Sequence, residues 1–318
     1  MPKQSIEVGK RPRFCNLCGQ PLVGGYLRHG DGVICCLTCY ANRSHCVRCG
    51  APLDDAALAR TRAGASDSPW LCTHCFRSAP RCAACHRPIV AVSYTFEDLS
   101  ETRPHRYCES CVKTRPRCDV CRVPVAPDVV PLDDGQYRCA LCAAQMVREP
   151  QQVEAIYREA LAAFSQIVGS PLRVTPRLEI VTRLQMGTIR RSHHTMVPGS
   201  EEGSGGHHIL GFFVRHDAAC SIYIERCLPR SVLLGTLAHE LAHAWQSEYA
   251  PQVQDLLVCE GFAEWAAHHV LVASGQRTMA ARATRREDVY GRGLRLYLTT
   301  ERKKGRDAVL RLASGDRA

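Results

Sequence analysis

The sequence lacks the long hydrophobic segments that would place a protein in or across a membrane. In its 318 residues no run of 18 or more apolar residues occurs, so no transmembrane helix is predicted. The start, MPKQSIEVGKRPRFC, has no apolar segment of the kind that a secretory signal needs. Apolar residues make up 45% of the chain, which is ordinary for a globular protein, so disorder is not expected. We therefore expect an intracellular, cytoplasmic protein of about two domains.

The chain also has few acidic residues: 31 Asp and Glu stand against 41 Lys and Arg, a formal net charge of +10. Such a balance suggests an acidic partner such as nucleic acid. Residues 1–150, however, contain 20 basic and 14 acidic residues, and each zinc site made of four thiolates would contribute a net charge of about −2. With four such sites the N-terminal half is close to neutral, which makes nucleic acid an unlikely partner.

Cysteine, by contrast, is abundant, and 16 of the 20 cysteines form eight CxxC pairs. In an intracellular chain such pairs indicate metal ligands rather than disulfides. A redox dithiol would fit a single CxxC motif beside a βαβ unit, but not eight regularly spaced pairs. The pairs are Cys15/Cys18, Cys36/Cys39, Cys46/Cys49, Cys72/Cys75, Cys82/Cys85, Cys108/Cys111, Cys118/Cys121 and Cys139/Cys142.

The cysteine pairs define four repeated modules, which we number 1 to 4: residues 15–39, 46–75, 82–111 and 118–142. The two pairs of a module are separated by 17 or 22 residues, and six residues join consecutive modules. Every module has a Pro three residues after its first pair. A segment this short cannot bury a core, so metal must stabilise it. We predict an array of four closed zinc sites over residues 1–148, a structural and recognition platform, since a four-thiolate site has no open coordination position.

The composition changes after Cys142, and residues 149–318 are predicted to form an α+β domain. Apolar residues at helical spacing predict a helix over Pro150–Val168. The stretches LRVTPRLEIVTR, ILGFFV and CSIYIE are expected to form strands, the last two as a hairpin around RHDAA. The loop between the first and second of these stretches, with His193, His194, His207 and His208, is expected to be solvated.

Two further helices are predicted in the second half of this domain. One runs over about Val232–Tyr249 with Ser231 as its N-cap, and the next over about Val253–Ser274. One or two basic helices are expected to close the chain.

The stretch LLGTLAHELAHAWQ carries the strongest chemical signal. His239 and His243 lie one helical turn apart and can bind one zinc ion, and Glu240 is placed to act as general base for a zinc-activated water. A histidine pair on an Ala/Leu-rich helix that binds nothing would give the same motif. A catalytic site also needs a third protein ligand and one open position. The opposite helix face carries an apolar stripe that would anchor the helix: Leu233, Leu234, Leu237, Leu241 and Trp245.

Sixteen residues after His243 begins CEGFAEW, with Glu260 and Glu264 one turn apart. This stretch resembles the second-helix segment of gluzincin metallopeptidases, and the resemblance implies that Glu260 is the third zinc ligand. Glu264 is placed to orient a ligating histidine through its free ring N–H, although a solvated helix charge has the same spacing. His268 continues this face and is a candidate for stabilising the oxyanion or holding Glu260, with a structural role equally open.

The segments LPRSVLLGTLAHELAHAWQ and VCEGFAEWAAHH resemble those of the plant DA-one and DA-one-related proteins, which are ubiquitin-activated LIM-domain zinc peptidases. The shared features are LPR, a Gly, LAHE..HAW and a following helix of EEG type, with Glu260 and His268 at matching positions. The likeness covers about residues 171–275, most specifically 228–268.

That resemblance would make the chain a divergent or bacterial-type homologue, with a gluzincin-type domain that cleaves proteins. It also implies a link to ubiquitin; ubiquitin, a ubiquitin-like protein or neither stay open as partners. The modules are LIM-like or zinc-ribbon-like rather than true LIM domains, because LIM joins its two sites by two residues and six are present here. Glu264 stands where Gln is expected in the plant proteins.

The sequence thus predicts a zinc-dependent endopeptidase with one catalytic and about four structural zinc ions. An extended substrate would pair with the strand ILGFFV or CSIYIE. The alternative is a non-catalytic adaptor with a degenerate peptidase fold, which the intact set of ligands and base disfavours. A nucleic-acid-binding zinc array is the third reading, and the metal-corrected charge disfavours it.

Overall fold

The computed structural model describes residues 13–29, 32–53, 70–97, 99, 104–132, 134–192, 209–217, 219–253 and 255–315. These residues form a mixture of helix and sheet, as predicted, and they divide into two compact units. The first unit holds the described residues of Met1–Phe96 and Pro104–Arg115, and the second those of Glu97–Arg103 and Pro116–Ala318. The loop with His193, His194, His207 and His208 lies outside the described residues.

Every module opens with the same tight turn. The amide of its first cysteine donates to the carbonyl five residues later at 2.8–2.9 Å, and the residue after its second cysteine has a left-handed backbone. Those residues are Gly19 (φ 72°), Gly50 (φ 72°), His86 (φ 59°) and Arg122 (φ 65°). Modules 3 and 4 therefore hold a non-glycine residue in a conformation that favours glycine.

The repeated Pro completes this turn. It forms an isolated antiparallel bridge with the residue before the first cysteine, as in Phe14↔Pro21 and Arg117↔Pro124. The residue after the Pro supplies the amide of this bridge: Leu22 donates to the Arg13 carbonyl at 2.7 Å. Pro fits its position because no N–H is needed there.

A short helix begins at the third cysteine of every module, which serves as its N-cap. These helices are α1 (Leu37–Ala41), α2 (Thr73–Ser78), α3 (Glu109–Thr114) and α4 (Ala140–Ala144). Among the described residues, modules 1 and 3 also contain an antiparallel strand pair: β1 (Tyr26–Arg28) with β2 (Ile34–Cys36), and β3 (Ser93–Phe96) with β4 (His105–Cys108).

In the second unit, three strands form one sheet in the order β5-β7-β6. Its strands are β5 (Arg177–Val181), β6 (Gly211–His216) and β7 (Ala219–Glu225). β5 runs parallel to β7, and β6 pairs with β7 in the antiparallel hairpin that the sequence predicts.

Seven helices complete the described part of this unit. They are α5 (Pro150–Val168), α6 (Arg183–Ser192), α7 (Arg230–Tyr249), α8 (Leu256–Ala273), α9 (Arg277–Thr284), α10 (Val289–Lys304) and α11 (Arg306–Ala313). Helix α5 has the predicted bounds, and the five residues of the predicted apolar stripe of α7 are all buried. The central pair α7 and α8 packs together, with α5 and α10 against it and β6 against α7.

Several expectations need correction. Ser231 is not the N-cap of α7, because the helix begins at Arg230 after Pro229, which leaves the buried Ser231 in the first turn. Helix α6 was not predicted, and three helices rather than one or two close the chain. The domain boundary at 148/149 stays a prediction; by compactness, module 4 groups with residues 149–315.

Helix α8 satisfies the length and composition of a membrane span, with a mean hydropathy of 1.2 over its 18 residues. Half of that window is buried inside the structure. Its aromatic residues Phe262 and Trp265 are fully buried in the main core, and it also carries the buried carboxylate of Glu260. These features are those of a core helix.

Candidate metal centres and active site

The sixteen paired cysteines form four separate clusters, in the combination that the sequence predicts. In every cluster a sulfur of the first pair faces one of the second at 3.6–4.0 Å. This separation far exceeds a disulfide bond of about 2.05 Å. It agrees with the spacing of about 3.8 Å for two sulfurs around one tetrahedral ion. Each cluster could therefore hold zinc or another metal ion.

The first cysteine of modules 1 to 3 is prepared for metal binding by the surrounding backbone. Burial raises the pKa of these thiols, but N–H groups directed at the sulfur outweigh it, such as that of Cys36 at 3.4 Å from the sulfur of Cys15. The pKa falls to about 6 for Cys15 and to about 7 for Cys46 and Cys82. Such thiols readily become the thiolates that metal ions bind.

A fifth candidate metal site, in the second unit, consists of His239 and His243 on α7 with Glu260 on α8. The two Nε2 atoms are 3.1 Å apart, and they lie 3.2 and 3.7 Å from Oε2 of Glu260. Three ligands around one tetrahedral zinc ion would be about 3.4 Å apart.

A buried oxygen also supports a cation at this point. Oε2 of Glu260 is buried, and although the two Nε2 atoms face it at 3.2 and 3.7 Å, neither contact has the geometry of a hydrogen bond. Although burial raises the pKa of Glu260, the two histidines lower it well below its usual range. For His239, burial lowers the pKa, but Glu260 and Glu264 raise it well above its usual value. The three side chains thus create an environment that favours positive charge between them, and they fit a bound metal ion.

Neighbouring side chains orient both imidazoles. Gln246 donates from Nε2 to the carbonyl of Cys259 at 3.1 Å, so its Oε1 is left to accept from Nδ1 of His243 at 2.9 Å. This fixes the tautomer in which Nε2 of His243 keeps its lone pair for a metal ion. Sequence reasoning missed Gln246, although it lies three residues after His243 on the same helix.

Glu264 lies beside the other histidine. Its Oε1 faces Nδ1 of His239 at 3.5 Å and also faces Arg286 at 3.3 Å. Arg286 in turn pairs with Asp288 at 2.8 Å and stacks over the ring of Tyr290 at 4.7 Å. A chain of polar contacts therefore links the metal site to the segment between α9 and α10.

Tyr290, which sequence reasoning also missed, lies beside the candidate site. Its ring centre is 6.2 Å from that of His239. Burial, followed by the negative charge of Glu260, raises its pKa to about 12, so the hydroxyl stays protonated and able to donate a hydrogen bond. No local motif marks this residue, because it lies 30 positions after Glu260.

Glu240, the predicted base, is a buried carboxyl at the junction of α7 and β6. Burial raises its pKa above the usual value; the nearby His239 and His243, and to a smaller extent a hydrogen bond from the backbone of Phe213, partly offset this. A side chain added at Gly211 would lie 3.1 Å from Cγ of Glu240 and 2.5 Å from Cγ2 of Thr236. Strand β6 therefore passes directly beside the carboxyl.

The described contacts of His268 are with residues other than the three candidate zinc ligands. Its Nδ1 is 3.2 Å from the carbonyl of Ala280, and its ring packs against His269. Burial lowers its pKa, which favours the neutral ring. The role predicted for His268 in oxyanion stabilisation stays a prediction.

No protein-family model, curated protein or solved structure matches this chain.

Proposed function

We propose that the second unit is a zinc-dependent endopeptidase of the gluzincin type. The carrying observation is the convergence of His239, His243 and Glu260 on one point, with Glu240 on the same helix. Two histidines, a carboxylate and an open fourth position are the donor set of catalytic zinc sites. We further propose that the four thiolate clusters hold structural zinc and that the modules recruit protein substrates or control access to the site.

Bound zinc supplies a water of lowered pKa and a Lewis acid for the scissile carbonyl. Glu240 accepts the proton of the attacking water and delivers it to the leaving amine nitrogen, so the C–N bond breaks after the new C–O bond forms. Tyr290, which stays protonated, is our candidate donor to the oxyanion that develops on the carbonyl oxygen.

Strand β6 is the proposed docking edge for the substrate. In the described sheet β6 is an edge strand, which pairs with β7 on one side. An extended peptide that pairs with the other edge would run past Glu240, because the backbone of Phe213 in β6 hydrogen-bonds that carboxyl.

The test compares wild type with Glu240→Gln, which keeps the shape of the side chain and the three metal ligands. The matched control is Glu287→Gln, whose side chain is 92% exposed. Each protein is incubated with a proteome-derived peptide library, and new amino termini are counted by mass spectrometry.

We expect wild type and Glu287→Gln to cleave, and Glu240→Gln to lose at least about a hundredfold in rate, with bound zinc unchanged. Equal cleavage by Glu240→Gln would remove the mechanism. No cleavage by zinc-loaded wild type would favour the adaptor alternative.

A further inference from the structure

Module 4 differs from the other three in its surroundings, because it belongs to the same compact unit as the His239 site. The residues between its ligands contact this unit directly. Val120, between Cys118 and Cys121, packs against the main core. Its neighbour Asp119 accepts from the backbone of Tyr137 at 2.8 Å and from Arg183 in α6 at 2.7 Å.

A buried ion pair anchors the second half of the module. Arg138, directly before the ligand Cys139, donates to Oε1 of Glu225 at 3.2 Å. The side chains are 2% and 0% exposed. Glu225 is the last residue of the central strand β7, which leads into α7. Removal of one partner from a buried pair is costly, because the other charge stays buried without compensation.

The turn between β7 and α7, residues 225–230, contacts both module 4 and the segment 145–147 that follows it. Arg226 pairs with Asp134 at 3.6 Å. The amide of Val147 donates to the carbonyl of Leu228, and Met146 forms a bridge with Pro229. The amide of Arg230, the first residue of α7, donates to the carbonyl of Gln145 at 3.1 Å. Leu228, the first residue of the LPR stretch, is buried in the main core.

From this arrangement we propose that module 4 is a positioning element of the candidate active site: metal binding by its four cysteines fixes the turn 225–230 and thereby the helix α7 that presents His239 and His243. Arg138 is the main positioning residue in this coupling. Loss of metal from module 4 releases Arg138 and Val120 together, since each lies within two residues of a ligand, and the start of α7 loses its support. Modules 1 to 3 belong to the other unit, and we expect no such effect from them.

The test uses the full chain and two matched variants, each lacking the second cysteine of its module. Cys121→Ser disrupts module 4, and Cys49→Ser disrupts module 2. Hydrogen exchange is followed by mass spectrometry over residues 225–237. Zinc affinity of the His239 site is measured by titration of zinc into protein from which a chelator has removed that ion.

We expect faster exchange over 225–237 in Cys121→Ser, and a zinc affinity of the His239 site at least about tenfold weaker. Cys49→Ser should lose one zinc ion and match wild type in both measurements. Wild-type exchange and affinity in Cys121→Ser would overturn the proposal.

If Cys121→Ser does not fold, Arg138→Gln tests the proposal instead, because this variant keeps all sixteen ligand cysteines. Faster exchange over 225–237 at an unchanged zinc content supports the coupling, and unchanged exchange overturns it. The inference shares one assumption with the proposed function, namely that the His239 site binds zinc. Because neither readout is proteolysis, an inactive protein would contradict the proposed function and leave the coupling in place.

Discussion

Individual side chains decide whether the two imidazoles of the candidate site can bind a metal ion. His243 presents Nε2 because Gln246 occupies its Nδ1, and Gln246 is itself held by the carbonyl of Cys259. His239 has Glu264 at the equivalent position. A ligating histidine whose second nitrogen is held in this way is a better ligand, since its tautomer and ring orientation are fixed.

We therefore expect Gln246→Leu to weaken zinc binding at the His239 site by about 10- to 100-fold, with a folded protein. Chelator competition measures this effect. The control is Gln151→Leu, at an exposed position of α5. Equal zinc affinity in the two variants would show that Gln246 does not orient His243.

The HExxH spacing singled out His239 and His243, and the resemblance to the second helix of gluzincin peptidases singled out Glu260. Gln246 could also have been predicted from the sequence, because it lies three residues after the proposed ligand His243. Arg286 and Tyr290 could not, because only the packing of α10 against α8 brings their segment to the site. Long-range placement of this kind has no local signal in a single sequence.

Among the elements, helix α8 is positioned by a very close approach to α10. A Cβ atom on Gly293 would lie 2.5 Å from Cα of Gly261 and 2.9 Å from the carbonyl oxygen of Leu257. Both obstacles belong to the backbone, which cannot rotate away as a side chain can. The contact lies beside Glu260, the residue directly before Gly261.

Gly293→Ala should therefore destabilise the second unit by about 1–3 kcal/mol and weaken zinc binding through displacement of Glu260. Urea unfolding and zinc titration measure the two effects. Gly187→Ala in α6 is the control, since its Cβ would meet only the end of Arg191 at 3.4 Å. That control should be neutral or stabilise by up to about 1 kcal/mol. A neutral Gly293→Ala would mean that the helices can separate freely.

Element prediction succeeded where the hydrophobic pattern was strong and failed where it was weak. Helix α5 was predicted with its observed bounds because its buried residues follow a helical period. Helix α6, RLQMGTIRRS, was missed because Met186 is its only buried residue. Its other large apolar residues are the exposed Leu184 and the partly buried Ile189. The N-cap of α7 was misplaced because Pro229, which has no side-chain acceptor, occupies that position and the helix begins at Arg230.

At the scale of the whole molecule, the two units differ in what stabilises them. The main core lies in the second unit and is built from α5, α7, α8 and α10 with the sheet. The apolar clusters in modules 1 and 2 are small and are built around cysteines. Metal is therefore expected to supply most of the folding free energy of modules 1 to 3.

Removal of all metal by a strong chelator should abolish hydrogen-exchange protection in modules 1 to 3, while α5, α8 and α10 keep much of theirs. Exchange measured by mass spectrometry before and after chelation tests this difference. Equal loss of protection in both units would contradict it. Readdition of zinc should restore protection in the modules and serves as the control for irreversible damage.

The repeat itself was predictable from cysteine and proline spacing, but the attachment of module 4 was not. Nothing in its spacing distinguishes it from module 1, since both have 17 residues between their cysteine pairs. The difference lies in single residues such as Arg138 and Val120, whose partners are far away in the sequence. Glu225, for example, follows Arg138 by 87 residues.

The central claim is that one open metal site, made by His239, His243 and Glu260, exists beside four closed thiolate sites. The most direct test is the zinc content per chain of the wild-type protein and of His239→Ala, measured by elemental analysis of the purified full chain. The five candidate sites predict five zinc ions in wild type, and four in the variant. An unchanged zinc content in His239→Ala would contradict the claim.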